Sequence, residues 1–367
     1  MRWLLVLLLT APSFAADFVV DANYTGKPGD NNTYTSLPDA IAAAPAGQSA
    51  DHPTRILIHP GTYKQQLTVA ADNLALIGVS GNPADTIVTD DLNARTPKPG
   101  GTGTYGTTGA SSTFIKGNNI TALNLTFENS TPLGGSQAVA LKTTGDEIAF
   151  QNCTFKSFQD TLYVTGGRDY FKDCHVTGSV DFIFGNATAV FDHCAIDSAY
   201  PGAVTAANTQ AATAVGLVFL DCTLTHDPTA AKGAVILGRP WQYDRTDASV
   251  IFIRCKMDDH VSPKGWGAWD AKNTNPAGDS RYAEYRSTDL SGKPIDTSKR
   301  VAWSHQLTDI QADDFTLDMI FGRGDMWWTD GWLTFWGTRN HPVNAYVDWK
   351  LGGTWDPVKQ IDSAAAK

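Results

Sequence analysis

Cysteine is scarce in this sequence, with five residues in a chain of 367. Five cysteines are too few for a small scaffold held by disulfide bonds, and none stands in the C-x-x-C pair that is typical of a zinc site. A stable fold therefore needs a sizeable hydrophobic core. With 42% apolar and 18% charged residues, the chain has the composition of a packed globular protein.

Clusters of basic residues are also absent. The chain has 28 Lys and Arg against 38 Asp and Glu, which gives a net charge of −10 at pH 7. This balance disfavours nucleic acid or an anionic membrane as a partner. It would not steer a polyanion to the protein either, so an anionic substrate must be held by local cations or arrive with its charges masked.

The sequence has no hydrophobic run long enough to span a membrane, and its one marked apolar run is at the N-terminus. Arg2 is followed by an apolar run from Trp3 to Leu9 and then by small residues up to Ala15. The run is well short of the roughly 20 apolar residues that a bilayer requires, and its layout is typical of a secretory signal peptide. We expect residues 1–15 to be removed and the mature chain to be periplasmic or extracellular, where disulfide bonds are permitted.

The chain does contain an internal repeat around its cysteines. Its six units, with serine in place of cysteine in the first, are FENSTP at 127, FQNCTF at 150, FKDCHV at 171, FDHCAI at 191, FLDCTL at 219 and FIRCKM at 252. The first three steps between successive cysteine positions are 23, 21 and 20 residues, a spacing typical of stacked solenoid units, and the later steps of 28 and 33 leave room for inserted loops.

Two kinds of solenoid compete for this repeat. Leucine-rich repeats need a recurring L-x-x-L-x-L frame, which is absent. The polar residue before each cysteine instead suits a sharp turn between two strands, because Asn and Asp tolerate left-handed backbone angles. The phenylalanine before that turn and the cysteine after it then both point inward. The sequence therefore predicts an all-β fold, a right-handed parallel β-helix.

Such a stack leaves two arrangements open for the cysteines. Equivalent residues of neighbouring coils lie about 4.8 Å apart, within the Cα separation that a disulfide accepts. Cys174 and Cys194 are then in reach of a disulfide, as are Cys153 and Cys174, but not all three together. The other arrangement is a ladder of free, buried cysteines.

The two ends of the chain differ from the coils. The segment from Ser36 to Pro45 predicts a short helix with a serine cap, suited to closing the open end of the solenoid. We expect one catalytic domain over residues 16–330 and a tail over residues 331–367. Four tryptophans lie where the tail begins, and they indicate either a sugar-binding patch or, as we predict, packing on the outside of the solenoid: Trp327, Trp328, Trp332 and Trp336.

The repeat places three polar residues at the same point of their coils. Seven residues after each cysteine position come Gln137, Asp160 and Asp181, with Gln159 beside Asp160. Two carboxylates about 5 Å apart cannot both ionise cheaply, so we expect one pKa to rise and the other to fall. The ionised carboxylate can act as nucleophile or base and the protonated one as proton donor, while amides suit an oxyanion. The simpler interpretation is that these aspartates only cap turns.

A further short stretch, LGRPW from Leu237 to Trp241, carries two more candidates. Arg239 can pair with a carboxylate through two hydrogen bonds and keep it ionised. Trp241 offers a flat face for a sugar ring. Taken alone the stretch is weak evidence, because both residues also suit a packed surface loop.

At these residues the chain resembles the pectin methylesterases, the pectinesterase family of carbohydrate esterases. The resemblance covers roughly residues 18–327, and the block over residues 159–185 is similar to bacterial members. The matching stretches, in the order and at the spacings of the family, are GTYKQ (61–65), QAVAL (137–141), QDTLYV (159–164), VDFIFG (180–185) and LGRPW (237–241).

The resemblance implies a role for each candidate residue. Asp181 would attack the methyl ester carbonyl at C6 of a galacturonate residue. Asp160 would protonate the departing methanol and then act as base for the water that releases the enzyme. The remaining implied roles are Gln137 and Gln159 for the oxyanion, Arg239 to orient Asp181, and Trp241, Tyr163, Phe184 and Lys142 for contact with the substrate.

The resemblance also implies a partner and the lack of a cofactor. The substrate would be methyl-esterified homogalacturonan, or pectin, and the enzyme would act as a monomer without a metal. The sequence shows no His/Cys ligand set, which agrees with this expectation. Because methyl-esterified pectin is largely uncharged, an acidic enzyme need not repel it.

Four other functions stay open at this point. A polygalacturonase-type glycosidase shares the predicted scaffold, but an inverting one needs carboxyl groups about 6.5–9.5 Å apart, more than adjacent coils provide. A calcium-dependent lyase needs clustered acidic ligands, which are not apparent. A non-catalytic β-helix would not need Asp160, Asp181 and Arg239 to be intact. A related esterase or thioesterase acting on another substrate would need the same residues.

Overall fold

The computed structural model describes residues 17–210, 213, 215–241, 248–269, 281–313, 315–322 and 354–366. These residues form three sheets in which all paired strands run parallel, and successive strands of the chain pass from sheet to sheet. This is the parallel β-helix that the repeat predicts. Among the described residues, no helix is long and apolar enough to cross a bilayer. Residues 1–15, the predicted signal peptide, lie outside the described residues.

Each sheet stacks strands from successive coils side by side. Sheet 1 has twelve strands, which in spatial order are Thr33–Tyr34, Phe18–Val20, Thr54–Ile58, Leu74–Gly78, Ile120–Leu123, Ile148–Gln151, Arg168–Lys172, Thr188–Asp192, Leu217–Leu220, Ser249–Ile253, Arg281–Tyr285 and His305–Gln306. Sheet 2 has eight: Gly61–Lys64, Thr86–Asp90, Thr126–Asn129, Thr154–Lys156, His175–Gly178, Ala195–Ser198, Thr223–His226 and Lys256–Met257. Sheet 3 has seven: Leu67–Val69, Thr113–Ile115, Leu141–Thr143, Leu162–Val164, Ile183–Gly185, Gly202–Ala207 and Val235–Gly238.

Short helices interrupt or flank the coils. The described helices are Asp30–Asn32, Leu37–Ala43, Pro83–Asp85, Gly106–Gly109, Asp309–Asp313, Leu317–Gly322 and Pro357–Ala365. The predicted capping helix is confirmed at Leu37–Ala43, where the Ser36 hydroxyl accepts a hydrogen bond from the Asp39 backbone N–H at 3.3 Å. Its buried Leu37 and Ile41 join the core, so this helix closes the N-terminal end of the solenoid.

A ladder of phenylalanines runs through the core, as the repeat predicts. Successive rings stack with centroids 4.3–4.8 Å apart and planes within 10° of parallel, and the ladder consists of Phe150, Phe171, Phe191, Phe219 and Phe252. All five rings are fully buried. The spacing is that of neighbouring strands in a sheet, so the ladder follows directly from the parallel register.

The residue before each repeat cysteine turns the chain from sheet 1 into sheet 2. Asn152, Asp173, His193 and Asp221 have φ between 50° and 54°, in the left-handed region that the sequence predicts there. Arg254 adopts the same conformation. This sharp turn lets one side chain on each flank point into the core, which is why the phenylalanine and cysteine positions recur together.

The sequence assigns the first repeat unit wrongly. Thr126 pairs with Thr154, so the counterpart of Cys153 is Leu125 and not Ser130. Leu125 is fully buried, and Asn124 before it has the left-handed φ of 58°. The Phe-x-Asn pattern that suggested Ser130 belongs instead to the next strand, Thr126–Asn129, where Phe127 pairs with Phe155.

The cysteines form the ladder of free thiols, and the alternative Cys174–Cys194 disulfide is not present. All five cysteines of the chain are described, free and buried. The Cys194 thiol donates a hydrogen bond to the Phe171 backbone oxygen at 3.3 Å, and the Cys222 thiol does so to the Phe191 oxygen at 3.2 Å. These two thiols therefore bond to the backbone of the preceding coil.

The described part of the tail packs on the outer face of sheet 1. In the helix Pro357–Ala365, the Gln360 amide donates to the backbone oxygens of Ile120 at 3.2 Å and Glu147 at 3.1 Å. The Trp355 ring packs on Phe321 with centroids 4.7 Å apart. The four tryptophans at positions 327, 328, 332 and 336 lie outside the described residues, and the domain boundary at residue 330 stays a prediction.

The free cysteines predict a measurable thiol count. The denatured protein, kept without reductant, should react with a thiol reagent at all five cysteines, whereas the native protein should react at almost none because every thiol is buried. Counting thiols by absorbance with and without denaturant checks this. A count of three in the denatured state would show instead that one pair of neighbouring cysteines is oxidised.

Candidate active site

Two aspartates of neighbouring coils lie side by side at the entry to sheet 3. Leu162 pairs with Ile183, so Asp160 and Asp181, each two residues earlier, occupy the same point of adjacent coils. Their φ angles are 65° and 52°, left-handed values that Asp tolerates better than most residues. Their backbone N–H groups donate to Val180 and Ala203 of the following coils at 3.1 and 2.8 Å. These bonds hold the backbone that carries both carboxyl groups.

Arg239 donates two hydrogen bonds to one of the two carboxyl groups. Its Nε donates to Asp181 Oδ1 at 2.8 Å and its Nη2 to Asp181 Oδ2 at 2.6 Å. The guanidinium itself is held, because Nη1 donates to the Trp269 backbone oxygen at 3.3 Å and the guanidinium carbon lies 4.5 Å from the centroid of the Trp269 ring. Arg239 follows the strand Val235–Gly238, so its cation reaches Asp181 from a later coil.

Burial raises the pKa of both carboxyl groups, but unequally. For Asp160, burial and then repulsion from Asp181 raise the pKa well above its usual value, and Arg239 only partly opposes them. For Asp181, burial also raises the pKa, but the hydrogen bonds and charge of Arg239 lower it, so the rise is smaller. The expectation that one pKa would fall is wrong, because burial of Asp181 outweighs its partner. The predicted difference between the two groups remains.

The two aspartates lie in a cleft of about 420 Å³ that also contains both glutamines. Gln137 lies beside the coil of Gln159, because the Ala138 backbone N–H donates to the Gln159 oxygen at 3.0 Å. The Ser136 hydroxyl donates to Gln137 Oε1 at 2.6 Å, which occupies the carbonyl end of that amide and leaves its N–H₂ group as a donor. The count from Ser130 pointed to Gln137 through a wrong register, yet this residue does line the cleft.

Aromatic side chains form the wall of the cleft. Tyr163 and Phe184 stack with centroids 4.2 Å apart and an angle of 10° between their planes, as neighbours in sheet 3. The Trp241 ring lies 6.3 Å from Tyr163 and 5.9 Å from Phe184. Lys142 pairs with Tyr163 in the sheet, and its Nζ lies 4.5 Å from the centroid of that ring. Burial lowers the pKa of Lys142, and the nearby Lys116 lowers it further.

Comparison with known proteins places this chain. Residues 24–325 match the family model described as Pectinesterase. The chain belongs to the pectinesterase family. It is therefore a carboxylic ester hydrolase. Pectinesterase 31 of Arabidopsis thaliana is 37% identical over 291 residues, which are 77% of this chain and 86% of that protein. The chain spans only about half the length of several other relatives, such as pectinesterase/pectinesterase inhibitor 18 of the same plant, which is 31% identical.

Solved pectin methylesterase structures share the fold. The pectin methylesterase PemA from Erwinia chrysanthemi is 32% identical with a TM-score of 0.70, over 84% of this chain and 97% of that one. The pectin methylesterase from carrot is 27% identical with a TM-score of 0.72, over 84% and 94%. Another, solved in complex with hexasaccharide VII, is 31% identical with a TM-score of 0.70, over 84% and 97%.

The pectinesterase cleft contains residues that the sequence alone did not single out. Trp269 packs against the Arg239 guanidinium and stacks with Trp241 at 6.5 Å between centroids. Tyr105, Thr107 and Thr108 also line the cleft, from the Gly/Thr-rich segment between two strands. Trp269 occurs in the stretch GWGAWD outside any repeat unit, so no repeat spacing connects it to Asp160 and Asp181.

The raised pKa of Asp160 predicts that this residue destabilises the fold. We expect Asp160→Asn to stabilise the protein at neutral pH by about 1–3 kcal/mol, because it removes a buried group whose ionisation is unfavourable. The pKa of Asp160 in the folded protein lies above its usual value of 3.8. The contribution of protonated Asp160 to wild-type stability is therefore fully present below pH 3.8 and is lost as pH rises through the folded pKa. The gain should therefore vanish in acid. Urea unfolding at neutral and acidic pH measures it.

Asp173→Asn is the matched control for this variant. Asp173 also has a left-handed φ, 51°, but its side chain is exposed, so its replacement should leave the free energy of unfolding nearly unchanged. If Asp160→Asn destabilised the protein at neutral pH as much as in acid, the unfavourable ionisation of Asp160 would be refuted.

Proposed function

We propose that this protein removes methyl groups from pectin by hydrolysing the C6 methyl esters of galacturonate residues, with Asp181 as nucleophile. The observation that carries the proposal is the pair Asp160 and Asp181, of which only Asp181 is held by two hydrogen bonds from Arg239. Membership of the pectinesterase family supports the reaction class, and the aromatic wall of the cleft suits a sugar chain.

The first half of the reaction forms an acyl enzyme. A carboxylate oxygen of Asp181 attacks the ester carbonyl carbon, and the electron pair of the carbonyl moves to its oxygen. The amides of Gln137 and Gln159 donate hydrogen bonds to this oxyanion. When the carbonyl reforms, the bond to the methoxy oxygen breaks and Asp160 gives its proton to that oxygen, so methanol leaves and an anhydride joins Asp181 to the sugar acid.

The second half restores the enzyme. Asp160, now ionised, takes a proton from a water molecule as the water oxygen attacks the acyl carbon. The bond to Asp181 breaks, which leaves a free galacturonate carboxyl group, the ionised Asp181 and the protonated Asp160. The unequal pKa values suit this cycle, because the proton begins on Asp160, the group with the larger rise, and Arg239 favours the ionised form of Asp181.

The walls of the cleft suit the polymer on either side of the reacting ester. Tyr163, Phe184 and Trp241 offer faces for sugar rings. Lys142 brings a positive charge two coils before Asp181 along sheet 3, because it pairs with Tyr163, which in turn pairs with Phe184. We assign Lys142 to a free carboxylate of the polymer, one that an earlier turnover has exposed.

The same proposal covers the location and state of the protein. Residues 1–15 direct export to the periplasm or the outside of the cell, where pectin is accessible, and the mature chain acts as a monomer without a metal at the catalytic cleft. The substrate is methyl-esterified homogalacturonan.

Asp181→Asn tests the nucleophile. We expect methanol release from methylated pectin to fall by about 10³-fold or more, as removal of a nucleophile does, while the fold is kept because Asn tolerates the same left-handed backbone. Methanol and new reducing ends are measured together. Wild-type methanol release in the variant would refute the mechanism, and new reducing ends from the wild type would indicate a glycosidase instead.

The chain contains a matched control for that variant. Asp221 also has a left-handed φ, 52°, and is also held by two hydrogen bonds from an arginine, Arg254, at 2.9 and 2.7 Å. This pair lies on the surface and away from the cleft residues. Asp221→Asn should retain wild-type methanol release, so a loss in both variants would point to damage to the fold and not to the nucleophile.

Lys142→Met tests the contact with a free carboxylate. The variant keeps an unbranched side chain over Tyr163 but removes the charge, so we expect KM on partly demethylated pectin to rise about fivefold, in line with one exposed ion pair. KM on fully methylated pectin should stay unchanged. Lys156→Met, on sheet 2, is the control. An equal change on both substrates would show that Lys142 does not read the carboxylate.

A further inference from the structure

Three side chains of types that can bind a metal meet at the C-terminal end of sheet 2, apart from the catalytic cleft. His226 ends the strand Thr223–His226, and Asp258 and Asp259 follow the neighbouring strand Lys256–Met257. His226 Nε2 lies 3.6 Å from Asp258 Oδ2 and 3.7 Å from Asp259 Oδ1. One ligand atom of each residue lies within 4.8 Å of the other two. The sequence does not group these residues, because 32 positions separate His226 from Asp258.

The hydrogen bonds around the cluster orient its ligand atoms. His226 Nδ1 lies 3.0 Å from the Asp227 backbone oxygen, to which it can only donate, so in the neutral ring Nε2 carries the lone pair. Asp258 Oδ1 accepts the Asp259 backbone N–H at 2.7 Å, which leaves Oδ2 facing His226. A lone pair then faces two carboxylate oxygens, an arrangement that a cation relieves. Histidine ligands of metals are typically oriented by just such a bond from the other ring nitrogen.

A second histidine at the cluster is buried without a hydrogen-bond partner. His260 is fully buried, and neither of its ring nitrogens has a partner. Its ring stacks on His226 with centroids 4.7 Å apart and an angle of 26° between their planes. Buried polar groups are nearly always paired, and an unpaired one commonly indicates an ordered water or an ion close by. The stacking places this unpaired histidine directly beside one of the three ligands.

The surroundings leave a cation access to the cluster. Asp258 and Asp259 line an open pocket of about 480 Å³ that shares no residue with the catalytic cleft. Lys232 Nζ lies 3.6 Å from Asp259 Oδ2, but 81% of its side chain is exposed, so this ammonium can move away at little cost.

We propose that His226, Asp258 and Asp259 bind a divalent transition-metal cation, for which Zn²⁺ is the best match. One imidazole nitrogen and two carboxylate oxygens are ligands that Zn²⁺ takes, whereas Ca²⁺ prefers six to eight oxygens. The bound ion joins the last two coils of sheet 2 and stabilises them, because it binds the folded chain and not the unfolded one. It takes no part in ester hydrolysis.

Calorimetric titration of the protein with ZnCl₂ tests this site. The protein is prepared without a histidine tag and stripped with EDTA, and we expect one Zn²⁺ to bind per chain at neutral pH. Binding should raise the thermal unfolding temperature, and EDTA should reverse the rise. His226→Ala and Asp259→Asn should each weaken the affinity by about tenfold or more. Asp259 is half exposed, so its variant should fold even if the other does not.

His193→Ala is the matched control for the titration. His193 Nδ1 lies 2.6 Å from Asp192 Oδ1 in an exposed pair that belongs to no cluster of three ligands among the described residues. Its replacement should leave Zn²⁺ affinity unchanged. Equal affinity in the wild type and both cluster variants, or the absence of Zn²⁺ binding to the wild type, would overturn the proposal. Tighter binding of CaCl₂ than of ZnCl₂, kept in His226→Ala, would also overturn it.

Discussion

The structure depends on the parallel register between neighbouring coils. Strand spacing in a sheet fixes the distance between equivalent residues of successive coils at about 4.8 Å. One residue type at one point of the repeat therefore becomes a ladder, as the stacked rings of Phe171, Phe191 and Phe219 show. The same register places Asp160 beside Asp181 and Tyr163 beside Phe184. The core, the turns and the two neighbouring aspartates all follow from one geometric rule.

In the cleft, the same register brings two carboxyl groups together although they repel each other. Ladders suit apolar rings, whereas two stacked carboxyl groups repel each other. Burial raises both pKa values, and the positive charge of Arg239 favours the ionised form of one group more than the other. The resulting asymmetry is what acid and base chemistry needs from two identical side chains. Repulsion that would weaken an ordinary coil becomes useful where a third group breaks the symmetry.

A comparison within the chain shows what distinguishes the cleft. Asp221 and Arg254 reproduce the hydrogen bonds of Asp181 and Arg239, and both aspartates adopt the same left-handed turn. The surface pair is less buried, because 31% of the Asp221 side chain is exposed against 8% of the Asp181 side chain. A bidentate pair is therefore no sign of catalysis by itself. Burial and the neighbours supplied by adjacent coils decide its chemistry.

The sequence by itself determined the solenoid, the inward phenylalanines and the position of Asp160 relative to Asp181, because each depends on spacing within a repeat. The register predicted for the first unit was wrong. In that coil Leu125, and not Ser130, is the counterpart of Cys153, because a hydrophobic residue can fill the interior position without the cysteine pattern. Only the tertiary structure decided that the thiols bond to backbone oxygens, that Trp269 holds Arg239, and that His226 meets Asp258. These contacts join residues through loops of unequal length, which leave no periodic trace in the sequence.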